Sequence, residues 1–347
     1  MKRRTLPAIC LGLAVCIMLP GERLASLPEL VNPYRVLMDE DRLYTSEGAT
    51  VFIYSRKDHR LLKQFGREGE GPGEFLLHRE SAGDEVTLAV TDDALVVSTM
   101  DKIVYFNKDG EFIREKRTAE AGRFLLPCGQ YLVARTYENN PADEKLYHGI
   151  AIYNEDLTLR RTIHRDLHGW QGADAAFNPL TVEQADFLTA DNRIFVLDGR
   201  REKILIFESG GDPVARVTPP GDRVPFTEAD RREIETGYQA SPFWKVYYEK
   251  RRKMFRFPDH FPPIHGFAVD GKTGDLYTET HEVRDQGNRK ERRWWRTDRD
   301  GNARGDLWIA DGGRIIPFDG RVFRLVENEE TETWELHLEN AGQETGG

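Results

Sequence analysis

The sequence predicts an all-β fold: a six-bladed β-propeller with four-stranded blades and a helical insertion between blades 4 and 5. Three observations carry this reading. An aromatic strand end followed by a polar turn recurs at residues 105–110, 152–157 and 206–211, with looser copies at 52–58 and 295–301. The spacing, about 50 residues, is within the range of propeller blades and far from that of helical repeats. Upstream of these units sit a strand, an Asp/Asn/Gly turn and a second strand, at 88–97, 187–196 and 267–277; apolar alternation on both sides of a turn is the hairpin signature. The third observation is the run from Phe65 to Phe75, in which Gly66, Gly69, Gly71, Pro72 and Gly73 fall close together. Glycine tolerates positive φ and proline fixes its own, so this run is a wide turn between two strand segments.

Two hairpins per repeat give a four-stranded blade, and the pattern places blades at about 35–66, 85–118, 121–165, 183–218, 265–308 and 313–340. The last range holds only three clear strands. The extended stretch 27–32 is left over at the other end of the chain, and it is expected to supply the fourth, closing the ring and hiding its edges. The propeller is thus expected over 27–341, with 342–347 a flexible tail lacking apolar residues.

One segment, 227–257, breaks the repeat and changes period from two to helical. Thr227 with Asp230 in the first turn, and Ser241 before Pro242, are helix starts, and Pro258 is the stop. In the second helix Phe243, Val246, Tyr247 and Met254 fall on one face and are expected to dock on the ring. Lys250, Arg251, Arg252 and Lys253 form a basic stretch on an acidic protein. Trp244, Tyr248, Arg251 and Arg252 are therefore the candidate binding residues, against the alternative that the aromatic face is core and the basic face merely solvated.

The first residues carry Lys2, Arg3 and Arg4, then an apolar run from Leu6 to Leu19 closed by Pro20 and Gly21. This is the pattern of a signal peptide over 1–26 cleaved near Ser26, with the mature chain beginning near Leu27. The run is short for a membrane span. An uncleaved anchor and a lipid anchor at Cys16 are alternatives, the latter weakened by Val15 before the cysteine. The expected location is periplasmic or secreted, with no transmembrane segment in the mature chain.

The chain carries 49 Lys and Arg against 59 Asp and Glu, a net charge of −10. Without the leader, which holds Lys2, Arg3, Arg4 and Arg23 against Glu22, the charge becomes about −13. Such a balance speaks against a nucleic-acid partner, which wants a basic surface. Of the three cysteines only Cys128 lies outside the leader, so no internal disulfide is expected.

Catalytic motifs do not stand out. The turn residues Asp92, Asp93, Asp191, Asn192 and Asp270 recur at one place in the blades. They are expected to make hairpin turns, with a calcium ion held in the central channel as the alternative. His148, His164, His168, His260, His265 and His281 show no zinc-type spacing, and there is no Gly-x-Ser-x-Gly elbow. The turn at 66–73 is not followed by Gly-Lys-Ser/Thr and is not a phosphate loop. No cofactor is expected.

The motifs at 66–75, 106–110, 153–157 and 207–211 resemble those of bacterial exported six-bladed propellers of the NHL-repeat or TolB-like kind, over about residues 28–340. The resemblance implies the fold and, for function, a binding or scaffold protein of the cell envelope. The alternative it leaves open is a metal-assisted, lactonase-like hydrolase or lyase with its site in the central channel. A partner protein or an envelope ligand, and a monomeric state, are the corresponding expectations. No catalytic residue carries over.

Overall fold

The structure is a computed structural model and describes residues 21–77, 86–99, 101–118, 123–167, 178–181, 185–240, 242–287 and 289–339. The chain opens with β1 (Glu22–Leu27). Then follow five four-stranded antiparallel sheets in chain order. They are β2 (Val36–Met38), β3 (Arg42–Glu47), β4 (Thr50–Ser55) and β5 (Leu61–Phe65); and β6 (Thr87–Val90), β7 (Leu95–Ser98), β8 (Lys102–Phe106) and β9 (Phe112–Arg117). The third is β10 (Arg123–Cys128), β11 (Tyr131–Asn140), β12 (Lys145–Tyr153) and β13 (Leu159–Leu167). The fourth is β14 (Asp186–Ala190), β15 (Arg193–Leu197), β16 (Ile204–Glu208) and β17 (Pro213–Val217). After α1 (Glu228–Ala240) and α2 (Pro242–Arg251) comes the fifth: β18 (Gly266–Val269), β19 (Leu276–Gln286), β20 (Arg289–Thr297) and β21 (Ala303–Ala310). The sixth sheet joins β22 (Arg314–Phe318), β23 (Arg321–Asn328) and β24 (Thr333–Glu339) to β1, so the two ends of the chain share one blade.

Burial within each blade follows from its place in the ring. Second strands such as Leu95–Ser98 and Arg193–Leu197 are buried along their whole length. Each is covered on both faces by neighbouring blades, which is why they read as near-continuous apolar runs. Fourth strands are the rim. Phe112–Arg117 and Leu159–Leu167 are mostly exposed and carry several charged residues, which blunt an edge otherwise open to pairing. The first strands line the axis, and each touches the first strands of the blades on either side.

The glycine-rich turn performs the connection expected of it. The Phe75 N–H donates to the Arg67 carbonyl at 2.9 Å and the Gly69 N–H to the Phe75 carbonyl at 3.1 Å, burying the Phe75 ring against Phe106. Gly66 has φ +92°, and a Cβ there would lie 2.5 Å from the Ala49 carbonyl oxygen and 2.6 Å from the Phe75 ring. Only glycine fits. The fully buried Lys102 ammonium donates to the Gly71 carbonyl at 2.8 Å and pairs with Glu115 at 3.1 Å, tying the turn to the second blade.

Two expectations are corrected. The closing strand is Glu22–Leu27, not 27–32; it pairs with β24 from Glu22↔Leu338 to Leu27↔Trp334. Pro28 has no N–H to give a ladder, and the chain turns there. The Leu30 N–H returns to the Leu27 carbonyl, while the N–H groups of Val31 and Asn32 bond the Glu47 carboxylate at 2.6 and 2.7 Å. The cleavage position expected near Ser26 therefore falls inside a strand of the ring.

The second correction concerns the insertion. Thr227 and Asp230 cap α1 reciprocally, with the Thr227 N–H donating to the Asp230 carboxylate at 2.7 Å. The helical period does not run unbroken to 257, because a 3₁₀ turn, Arg252–Met254, follows α2. That turn rotates Phe255 onto the side of Tyr248. The two form a buried cluster with Tyr238 and Phe257, whereas Val246, expected on the docking face, is 55% exposed. Met254 is half-buried, and the side chains of Phe243 and Tyr247 lie outside the described residues.

Candidate functional site: a charged recess at the axial mouth

Because neighbouring strands alternate in direction, every first strand starts at the same end of the ring. At that end lies a recess of about 610 Å³. Its walls are the starts of four first strands: Tyr34–Val36 at β2, Asp186 at β14, His265–Ala268 at β18 and Ala310–Ile315 at β22. Arg201, from the turn between β15 and β16, and Glu279 and Arg292, from β19 and β20, complete it. The insertion enters β18 from the same end. Its base is an aromatic stair: Phe226 stacks on Phe257 at 5.4 Å and meets Phe261 at 5.0 Å, Phe261 stacks on His281 at 4.3 Å, and His281 stands 4.8 Å from His265.

The carboxylates of the recess are committed. Glu279 pairs with His265 Nδ1 at 3.1 Å and Arg292 at 3.2 Å, and Asp311 takes Arg292 Nε at 2.7 Å. Asp186 pairs with Arg135 and accepts the Phe187 N–H at 2.8 Å. Burial pushes the Asp186 carboxyl up, but the Arg135 and Arg35 guanidiniums outweigh it and hold it below the usual aspartate range. The cations are not all matched. Arg35 and Arg201 have no carboxylate at ion-pair distance among the described residues, and Arg35 Nε is buried without a hydrogen-bond partner. Arg201 instead donates to the His265 carbonyl. Burial lowers its pKa from the ordinary arginine value, against the pull of Asp186 and Glu279. Burial, with His265, Arg292 and Arg201 nearby, drives His281 down to about 3.

The residues singled out from sequence separate. Tyr248 is buried in the insertion's own cluster and is no contact surface. Arg252 is solvent-exposed, as are Lys250 and Lys253, while the side chains of Trp244 and Arg251 lie outside the described residues. The recurrent turn residues lie at the end of the ring away from the recess, and Asp270 and Asp191 tie their turns to those of the next blade. Asp270 accepts N–H groups from Lys272, Thr273, Asp319 and Gly320, and Asp191 pairs with Arg299. Among the described residues no three His, Cys, Asp or Glu side chains gather as a metal site. Cys128 is buried, which pushes its thiol up to about 12; such a thiol is not a nucleophile at neutral pH. His168 lies outside the described residues.

Sequence reasoning missed the recess. Its residues come from the first positions of separate blades, and no local motif links Arg35 to Arg201 or His265. The one signal available was positional, since a charged residue opening a first strand must sit at the mouth. On β20, Trp294 is 6% exposed, packed with Tyr277, Leu307 and Ile309, and it and Arg292 both line the recess.

The sequence model of DUF5128, a family described as a 6-bladed beta-propeller, matches residues 28–148. Comparison with curated proteins finds no match. Among solved structures, the chain is similar to a member of the DUF4221 family from Bacteroides vulgatus, 9% identical over 94% of this chain and 98% of that one, with a TM-score of 0.53. It is also similar to the β-propeller domain of Cps50 (Swd1) from Myceliophteria thermophila, 12% identical over 92% of this chain and 99% of that one, with a TM-score of 0.41. At 9% identity the first likeness is one of fold alone.

Proposed function

We propose that this chain is a non-enzymatic binding or scaffold protein of the cell envelope, and that it works with the face carrying the recess. The single observation behind this is that, among the described residues, two helices interrupt the blade repeat between β17 and β18, and the base of that interruption stands beside the recess. The end of α2 and the 3₁₀ turn after it present the exposed cations Lys250, Arg252 and Lys253 on a chain of net charge −10. Exposed charges contribute little to folding stability, so recognition of a partner is the use they favour. The signal-peptide pattern of the first residues supports the envelope as the place.

Photo-crosslinkers placed at Lys250, near the end of α2, and at Lys57, in a turn at the end of the ring away from the recess, test the reading in the native host. Specific adducts from position 250 and none from 57 are expected, in the envelope fraction. Equal adducts from both, or none from either, would overturn it.

A further inference from the structure

Arg35 and Arg201 are two guanidiniums walling one recess, both within electrostatic reach of Asp186. Neither has a carboxylate at ion-pair distance among the described residues, although Asp186, Glu279 and Asp311 stand in the same recess. Those three acids are already engaged by Arg135, His265 and Arg292. A partly buried guanidinium without a counter-ion is costly, and an incoming anion is what relieves it.

From this arrangement we propose that the recess binds a small carboxylate-bearing ligand, its carboxylate held by Arg35 and Arg201. The inference rests on the reading of this face as the binding face and narrows what it takes.

Charge selects carboxylate over phosphate. Asp186, Glu279 and Asp311 line the same recess, and their negative charge opposes a phosphate dianion more than a carboxylate monoanion. The planar guanidinium fork is matched by a carboxylate's two oxygens. The volume suits a small molecule, and Tyr34 and Phe267 in the wall offer aromatic surface for its body.

Titration calorimetry with benzoate, its neutral isostere benzamide and inorganic phosphate tests the proposal. Benzoate is expected to bind at one site per chain at millimolar concentration, with benzamide and phosphate failing to compete. Arg35→Gln should weaken benzoate about tenfold or more, the loss of one charge-assisted pair. Arg201→Lys keeps the charge at the buried position and removes the fork, and it should weaken benzoate too. Ligand-free melting of both variants identifies any fold defect. Equal binding of benzamide, tighter binding of phosphate, no benzoate binding by the wild type, or undiminished benzoate binding by both folded variants would overturn the proposal. The crosslinks from Lys250 in the same variants separate the two claims: if they persist while benzoate fails, only the carboxylate assignment falls.

Discussion

His281 joins the insertion to the ring, and its environment makes it pH-sensitive. The ring is stacked on Phe261, and its Nε2 is buried without a hydrogen-bond partner among the described residues. Burial first, then His265, Arg292 and Arg201, hold its pKa at about 3, with Asp230 pulling weakly the other way. The unfolded chain binds this proton from about 6.5 downward and the folded one only near 3. Between those values the unfolded state holds more protons, so stability rises with pH across the window and falls on acidification. With part of the ring solvated, the loss at pH 5 relative to pH 7 is on the order of 1 kcal/mol. His281→Phe keeps the stack and removes the titration. Its unfolding free energy should therefore fall less between pH 7 and pH 5 than that of the wild type, measured by urea denaturation at each pH. Identical slopes would show that His281 does not titrate in this way. Depressed carboxylates such as Asp186 and Asp39 destabilise on acidification too, but lower down, as pH falls through the ordinary aspartate value.

Among the elements, β1 has the largest predicted effect on stability. It is the outer strand of the sixth blade, with Leu27 fully buried against a cluster that includes Trp334, Leu336 and Leu43, and with Arg23 paired to Glu335 at 2.9 Å. A chain beginning at Glu22 should melt like one that includes the preceding residues. One beginning at Pro28 loses the ladder to β24, at roughly 1 kcal/mol per hydrogen bond, and the Leu27 side chain besides. It should melt markedly lower and aggregate through the bare edge. Equal melting of the two by calorimetry would mean that β24 is a sufficient edge. Closure between the chain ends was legible in the sequence, because the last blade was one strand short. Its position was not, since Leu27 and Leu30 are both buried and only Pro28 separates the strand from the turn. The insertion shows the same limit. Its two helices were legible from caps and period, but the 3₁₀ turn at Arg252–Met254 that puts Phe255 beside Tyr248 has no sequence signature.

At the scale of the whole molecule, the blade repeat was readable because each blade is a local unit of hairpins. The recess was not, because it is made only when the ring brings Arg35, Asp186, His265 and Arg314 round one axis. The ring also fixes where the chain leaves it. Three antiparallel pairings lead from β22 through β23 and β24 to β1, so β1 runs opposite to β22. Since β22 starts at the recess, β1 ends there and starts at the far face. Glu22, the first residue of β1, thus lies at the end of the ring away from the recess. A leader over the first residues can then be removed without disturbing the ring only if the cut falls at or before Gly21, because a cut at Ser26 strips β1 from β24. Mass spectrometry of the native protein should find its N-terminus at or upstream of Glu22, and a bulky fusion there should leave benzoate binding unchanged. A native N-terminus at Leu27 would mean that the ring closes without β1. Loss of binding on fusion would place the working face at the other end.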